Sequence, residues 1–269
     1  MGLAATADAP KDTTPETNQF VNWVSDFLPD DLPPTIRREV RIFYYNYDSY
    51  WQRDALHTRL ELLGKRLLEH IRGIRITEAE RSRDLIFVGY SYGGLVVKQT
   101  LVQAQRNRDH NHVNRDLNQI AEYTKAILFL GTPHHGSSLS RLGWWVAQAL
   151  RLRGSNPSIL ANLDCDSVPL FDLHSDFTEI TRDDWYIFNF FEQRRIEIFR
   201  FGLIRWELFG VPEQSSTYHG SKVRNIGLPV DHYGLNKFGT RSESYQIILS
   251  ILKEVTVSRS RSKKRHYGV

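Results

Sequence analysis

The segment from Asp84 to Gly94 constrains the fold of this chain more than any other feature. A short apolar run, DLIFV at residues 84–88, is followed by GYSYG and then by GGLVVKQTLVQAQ, which is apolar around most of a helical circumference. Such a run is typical of a parallel strand buried on both faces, and the glycines allow a tight turn into the helix. The segment therefore predicts a strand, a sharp turn and a helix, with Ser91 at the turn.

Further apolar runs alternate with helical patterns along the chain. Strands are predicted at 40–45, 125–130, 185–191 and around 206–211, helices within 20–28, 56–71 and 245–255, and a polar loop at 107–119. Thr240 and Glu243 have the spacing of a capping box before the last helix. This alternation predicts an α/β fold with a mostly parallel sheet and helices on both faces, where ligands bind outside the carboxyl ends of the strands.

The length and composition favour one folded domain. The 269 residues are 41% hydrophobic, which is enough for one large core. Residues 1–17 are rich in Ala, Thr, Asp and Pro without periodicity, which predicts a disordered leader. The α/β domain is expected at 18–255, followed by a basic flexible tail at 256–269.

The net charge of +4 belongs to that tail. Its basic residues are Arg259, Arg261, Lys263, Lys264 and Arg265, and no acidic residue follows Thr256. Removing these five charges from the 35 Lys and Arg leaves 30, against 31 Asp and Glu, so the remaining chain is close to neutral. A lone basic cluster is more often a solvated end than a nuclear-import signal or a contact for anionic surfaces, so nucleic-acid binding is not favoured.

The sequence lacks the marks of a membrane or secreted protein. No run approaches the roughly 18 apolar residues of a membrane span, so no transmembrane segment is expected, and the first twenty residues lack the layout of a signal peptide. The single cysteine, Cys165, excludes an intrachain disulfide. These features favour a cytoplasmic location, with nuclear or membrane-surface association through the tail as the alternative.

Ser91 is the candidate nucleophile of the chain. A serine hydroxyl reacts only when it is exposed, close to a base and beside amide donors that stabilise an oxyanion. The G-x-S-x-G turn lifts Ser91 above the sheet and points the amide of Tyr92 into the oxyanion position. The alternatives are a plain glycine-rich turn and a phosphate-binding loop, but the Lys-Ser/Thr pair of the latter is absent, since Gly94 and Leu95 occupy that stretch.

Three separated motifs carry a family resemblance. VGYSYGGLVVKQTL, KAILFLGTPHHGS and LPVDHYGLNKFG resemble, in this order, the serine-esterase-like, lipase-related branch of the α/β-hydrolases, including N-terminal domains of fungal NACHT-type immune receptors. The resemblance covers roughly residues 20–255. It implies the α/β-hydrolase fold, a Ser–acid–His triad and acyl-ester or lipid-like substrates.

The resemblance assigns the general base to His232, 141 positions after Ser91 and just before the last helix. A histidine there can take the serine proton and return it to the leaving group. His134 and His135 are the rival bases. In similar proteins that PHHGS loop shapes the wall of the site, which is the role expected for both histidines here.

The acid of the triad is less defined by the resemblance. Glu192 closes a predicted strand as the family pattern requires and is the first choice. In the later segment GVPEQSSTY the matching position is Gln214, so Glu213, one position away, is the second choice.

Two departures from the family bear on activity. Tyr90 stands where histidine commonly precedes the nucleophile, which is expected to alter the site wall. Nothing in residues 1–19 resembles the strand and H-G-x-x-G-like loop that begin similar proteins. We therefore expect the fold to lack its first strand and oxyanion loop, and the strand at 40–45 to be unpaired on that side and prone to association.

The leading function is hydrolysis of an ester, thioester or lipid acyl bond through an acyl-serine intermediate. No cofactor and no metal is implied, and the partner expected is a small-molecule substrate. The alternative is a catalytically weak hydrolase-like module that signals by binding a protein partner. The tryptophan-rich segment 141–153 is expected to pack on the sheet, with a lid as the alternative.

Overall fold

The structure is a computed structural model that describes residues 2–5, 21–47, 56–110, 115–134, 168–201, 204–208, 213–217, 220 and 222–266. Its helices are α1 Trp23–Asp26, α2 Leu28–Asp31, α3 Pro34–Arg37, α4 Leu56–Gly73, α5 Glu78–Arg81, α6 Tyr92–His110, α7 Arg115–Glu122, α8 Val168–Ile180, α9 Glu213–Ser216 and α10 Glu243–His266. Its strands are β1 Gly2–Ala5, β2 Arg41–Tyr44, β3 Leu85–Tyr90, β4 Thr124–Leu130, β5 Tyr186–Glu192, β6 Ile196–Phe201, β7 Ile204–Leu208 and β8 Val223–Leu228.

Six strands form one parallel sheet in the order β2-β1-β3-β4-β5-β8. From β1 the chain moves outward to β2, then returns to the other side of β1 and continues through β3 toward β8. In open parallel sheets ligands bind at the carboxyl ends of the strands where the direction reverses. Here that point lies between β1 and β3, and β3 runs directly into Ser91.

Helices cover both faces of the sheet, as the alternating pattern predicts. On one face α4, α6, α7 and α8 pack against alternate residues of β3 and β4, such as Phe87 and Phe129. On the other face α1, α2 and α10 pack against the intervening residues, such as Val88 and Leu128. Because both faces are buried, the central strands are continuously apolar. This topology, with a strand–turn–helix at Ser91, is that of the α/β-hydrolase fold.

The expectation that the fold lacks its first strand is wrong. Gly2–Ala5 lies between β2 and β3 and is parallel to both, with Gly2 opposite Arg41 on one side and Leu85 on the other. Four residues, Gly-Leu-Ala-Ala, have neither the alternation nor the β-branched side chains that predict a strand. Backbone hydrogen bonds to the strands on both sides hold these residues extended, although their own sequence does not favour a strand. β2 thus pairs with β1, although it remains the last strand on its side of the sheet.

Other expectations also need correction. Within the polar stretch predicted as a loop, residues 107–110 end α6 and residues 115–119 belong to α7, which buries Leu117, Ile120 and Ala121. The last helix is capped by Ser242, whose hydroxyl accepts from the amide of Tyr245 at 3.4 Å, and not by Thr240. That helix continues to His266 and so includes most of residues 256–269, and the flexibility expected of that segment stays a prediction.

The remaining expectations about segments fall partly or wholly outside the described residues. Within the predicted leader, residues 2–5 form β1, and residues 6–17 are not described. The expectation that an oxyanion loop is absent and the expectation about residues 141–153 concern residues that are not described, so both stay predictions. Among the helices that are described, none has the length and apolar character needed to cross a membrane.

Candidate active site

Ser91 occupies the single residue between β3 and α6. Its φ is 51°, in the left-handed region that non-glycine residues seldom adopt, which is the backbone strain of a nucleophile turn. The amide of Ser91 donates to the carbonyl of Leu130 at 2.8 Å, so the turn is fixed to the neighbouring strand. A Cβ on Gly94 would overlap the hydroxyl of Thr132, so a glycine is needed there for close packing.

Ser91, His232 and Glu192 form a continuous row of side chains. The Oγ of Ser91 lies 3.1 Å from Nε2 of His232, and Nδ1 of His232 lies 3.4 Å from Oε2 of Glu192. His232 and Glu192 are 2% and 3% exposed, respectively, so the pair is shielded from water. In this geometry the serine hydroxyl can donate to Nε2 while Nδ1–H donates to the glutamate, which is the arrangement of a Ser–His–acid triad.

Local structure places each member of the row at the carboxyl end of the sheet. Glu192 is the last residue of β5. His232 follows β8 and precedes a 3₁₀ turn at Tyr233–Leu235, and the carboxylate of Asp231 accepts from the amide of Gly234 at 2.8 Å to close that turn. Short aspartate side chains commonly stabilise such turns. The second-choice acid, Glu213, begins the short helix α9 and is exposed.

Gly131 is a site residue that the sequence analysis did not single out. Its φ is 60°, and a Cβ there would lie 2.8 Å from Cε1 and 2.9 Å from Nδ1 of His232. Its amide donates to the carbonyl of Phe190 on the strand that carries Glu192, at 2.8 Å. A glycine directly after an apolar strand was the available signal, but only the structure brings it beneath the imidazole of His232.

Tyr90 and Tyr92 flank the nucleophile. The ring of Tyr90 lies 5.2 Å from the ring of His232, and burial raises the pKa of its phenol well above the ordinary value, with smaller contributions from neighbouring acidic groups. Tyr90 therefore stays neutral beside the histidine. Tyr92 is the first residue of α6, where backbone amides are not used within the helix. Its ring is buried and lies 6.3 Å from that of Tyr47.

Of the two rival bases, His134 and His135, the structure describes His134. His134 is 1% exposed, and its ring packs edge-on against Phe129 at 5.0 Å and lies 5.9 Å from the ring of His174. The structure therefore brings His232, and not His134, to Ser91. His135 lies outside the described residues. Within the described part of the chain, no group of three or more His, Cys, Asp or Glu is placed to hold a metal ion.

Part of the chain resembles a family of serine esterases. Residues 52–160 match the family model described as "Putative serine esterase (DUF676)". The chain is 30% identical over 173 residues to Protein SERAC1 of Danio rerio, covering 60% of this chain and 22% of that protein. It is 29% identical over 182 residues to Protein SERAC1 of Bos taurus, covering 66% and 25%. The chain thus spans about a quarter of these relatives, and the likeness supports a hydrolase.

Solved structures with a similar fold include a thioesterase and a lipase. The RedJ thioesterase of the prodiginine pathway in Streptomyces coelicolor has 13% identity and a TM-score of 0.44, over 94% of this chain and 85% of that one. The Bacillus licheniformis lipase BlEst2 has 19% identity and a TM-score of 0.42, over 71% and 74%. The narrower resemblance to domains of fungal NACHT-type receptors stays a prediction.

Proposed function

We propose that this chain is a serine hydrolase that cleaves an ester, thioester or lipid acyl bond through an acyl-Ser91 intermediate. The observation that carries the proposal is the row from Ser91 Oγ through the His232 imidazole to the buried Glu192 carboxylate, with separations of 3.1 and 3.4 Å. The sequence match of residues 52–160 to a serine-esterase model supports the same chemistry.

The proposed reaction has two acyl-transfer steps. His232 takes the Ser91 proton as Oγ attacks the acyl carbon, and the buried carboxylate of Glu192 stabilises the imidazolium that forms. The amide of Tyr92, at the start of α6, donates to the oxyanion. His232 then gives the proton to the leaving alcohol or thiol, and the released site admits water, which His232 activates to hydrolyse the acyl-serine.

An activated-serine probe tests the proposal without knowledge of the substrate. A fluorophosphonate should label the wild type at Ser91 and should not label Ser91→Ala. The matched control is Ser250→Ala, a serine on the exposed side of α10, which should be labelled like the wild type. Equal labelling of Ser91→Ala would refute the assignment of the nucleophile. A folded wild type that is not labelled would favour the protein-binding module.

The identity of the base has its own test. His232→Ala should lower the labelling rate far more than His134→Ala, because only the base that contacts the serine raises its nucleophilicity. Both variants remove a buried imidazole, so the pair separates loss of the base from loss of packing. If His134→Ala were the less reactive variant, the assignment of His232 would be wrong.

A further inference from the structure

Lys98 is a buried lysine on the helix that starts at the nucleophile. It lies about two turns after Ser91 on α6 and is 1% exposed. Its Nζ is 3.0 Å from Nδ1 of His174 on α8 and lies over the rings of Phe129 and Phe177, 5.7 and 5.2 Å from their centroids. Burial lowers the pKa of this amine well below its ordinary value. A buried amine is costly, and an apolar side chain of equal length would avoid that cost.

Lys98 contacts residues 131–134, which lie beside Ser91 and His232, indirectly through His174. The ring of His174 lies 5.9 Å from the ring of His134, which also packs on Phe129. His134 ends the described segment 131–134 that follows β4. Lys98 on the nucleophile helix is therefore joined, through His174 of α8, to His134, four residues after β4.

The other end of segment 131–134 contacts the reactive groups. The hydroxyl of Thr132 donates to the carbonyl of Gly89 at 3.4 Å and packs against Gly94, on either side of Ser91. Gly131 lies against the imidazole of His232. Segment 131–134 therefore contacts α6 and its N-terminal turn in two ways. His134 reaches Lys98 of α6 through His174, and Thr132 contacts the turn at Ser91 directly.

We infer that Lys98 is a positioning residue of the acyl-transfer site, which holds segment 131–134 against the nucleophile turn and His232 through its contact with His174. The inference rests on the proposed function, since it concerns the rate at which Ser91 reacts. Small displacements of reacting groups lower rates steeply, by up to about 100-fold for a shift of about 1 Å. Loss of the contact between Lys98 and His174 should therefore lower the maximal rate of labelling more than it weakens the binding of a probe.

Lys98→Met tests the inference, because methionine has nearly the same length and no amine. Labelling by a fluorophosphonate is measured over a range of probe concentrations to separate the maximal rate from the half-saturating concentration. Lys98→Met should lower the maximal rate about 10-fold or more, with a melting temperature equal to or above that of the wild type. The matched control is Thr100→Val, since Thr100 is also buried on α6 but bonds to the carbonyls of Gly64 and Val96.

A second pair of variants keeps the inference testable if Lys98→Met does not fold. His174→Phe keeps a ring and removes the acceptor for Lys98, so it should label as slowly as Lys98→Met. His174→Asn places an oxygen near the position of Nδ1 and should restore most of the rate. Equal rates for these two variants would overturn the inference, as would a folded Lys98→Met with the wild-type rate or a Thr100→Val that is equally slow.

A readout that does not depend on catalysis separates this inference from the proposed function. The ring resonances of His134, assigned from the variant His134→Gln, should shift in Lys98→Met and stay unchanged in Thr100→Val. If the wild type is not labelled, the proposed function fails while this measurement still tests the contact. Unchanged His134 resonances in Lys98→Met would overturn the positioning role.

Discussion

At the scale of residues, the register of neighbouring strands brings the three reactive side chains together. Ser91 follows the end of β3, Glu192 ends β5 opposite Leu228, and His232 lies four residues after that leucine. Ser91 was recognisable from the strand–turn–helix pattern around it, whereas His232 and Glu192 were assigned from the resemblance of their segments to α/β-hydrolase motifs. Gly131 could not be recognised in this way, since its role depends on the position of an imidazole from a distant segment.

Glu192→Gln tests the acid. The amide preserves the size of the side chain but removes the charge that stabilises the imidazolium, so the labelling rate should fall about 10²- to 10⁴-fold. Glu213→Gln is the matched control, because Glu213 is exposed on α9. A greater loss in Glu213→Gln, measured with the same probe, would transfer the role of the acid to Glu213.

Gly131→Ala tests the close approach to His232. A methyl group would lie within 3 Å of the imidazole, and alanine at a φ of 60° costs about 1–2 kcal/mol in the backbone alone. The labelling rate should fall at least about 10-fold as His232 is displaced, and the free energy of unfolding in urea should drop. Gly239→Ala is the control, because a Cβ at Gly239 has no neighbour within 4 Å. Wild-type kinetics in Gly131→Ala would show that the imidazole is not displaced.

At the scale of elements, the strength of the local pattern decided what could be predicted. The strands predicted at 84–88, 125–130 and 185–191 correspond to β3, β4 and β5, because each is long, apolar and buried on both faces. The helix α7 was missed since only three of its eight residues are buried and apolar, and its packing against α6 holds it in place. Tertiary contacts override local preference in such short elements.

The short helix α5 gives an element-scale prediction with a pH dependence. Glu80 completes a capping box with Thr77 and accepts from Arg41 of β2 at 2.9 Å. Hydrogen bonds from the Thr77 backbone and then from Arg41 lower the pKa of Glu80 to about 2. Because the folded-state pKa lies below the unfolded value, this carboxylate stabilises the protein above about pH 4.5, and the effect is lost as the pH falls toward 2.

Glu80→Gln isolates that effect. At pH 6 the variant should have a smaller free energy of unfolding than the wild type, and the difference should shrink between pH 4.5 and 2. Urea unfolding at several pH values measures it. Glu78→Gln, on the same helix but outside the capping box, is the matched control. A difference that is constant with pH would mean that the charge of Glu80 does not stabilise the fold.

At the scale of the whole molecule, β1 determines whether the sheet is continuous across the point where the strand order reverses. The strand lies between β2 and β3, and residues of an inner parallel strand bond alternately to the neighbours on its two sides. Without it, β2 would have no partner in the sheet and β3 would expose an apolar edge. The nucleophile turn starts at the end of β3, so continuity of the sheet on this side also supports the geometry of Ser91.

Ala4→Pro tests the contribution of β1 to the whole fold. Proline removes a backbone donor from a strand that is paired on both sides and leaves an acceptor unpaired, which destabilises by about 1–3 kcal/mol. Ala4→Ser keeps that donor and is the matched control. We expect Ala4→Pro to lower the free energy of unfolding, to increase self-association through the exposed edges of β2 and β3, and to slow probe labelling at Ser91. Urea unfolding and light scattering after size-exclusion chromatography measure the first two effects. An Ala4→Pro variant as stable and as dispersed as Ala4→Ser would contradict the placement of β1, because a strand paired on both sides cannot lose a donor without effect.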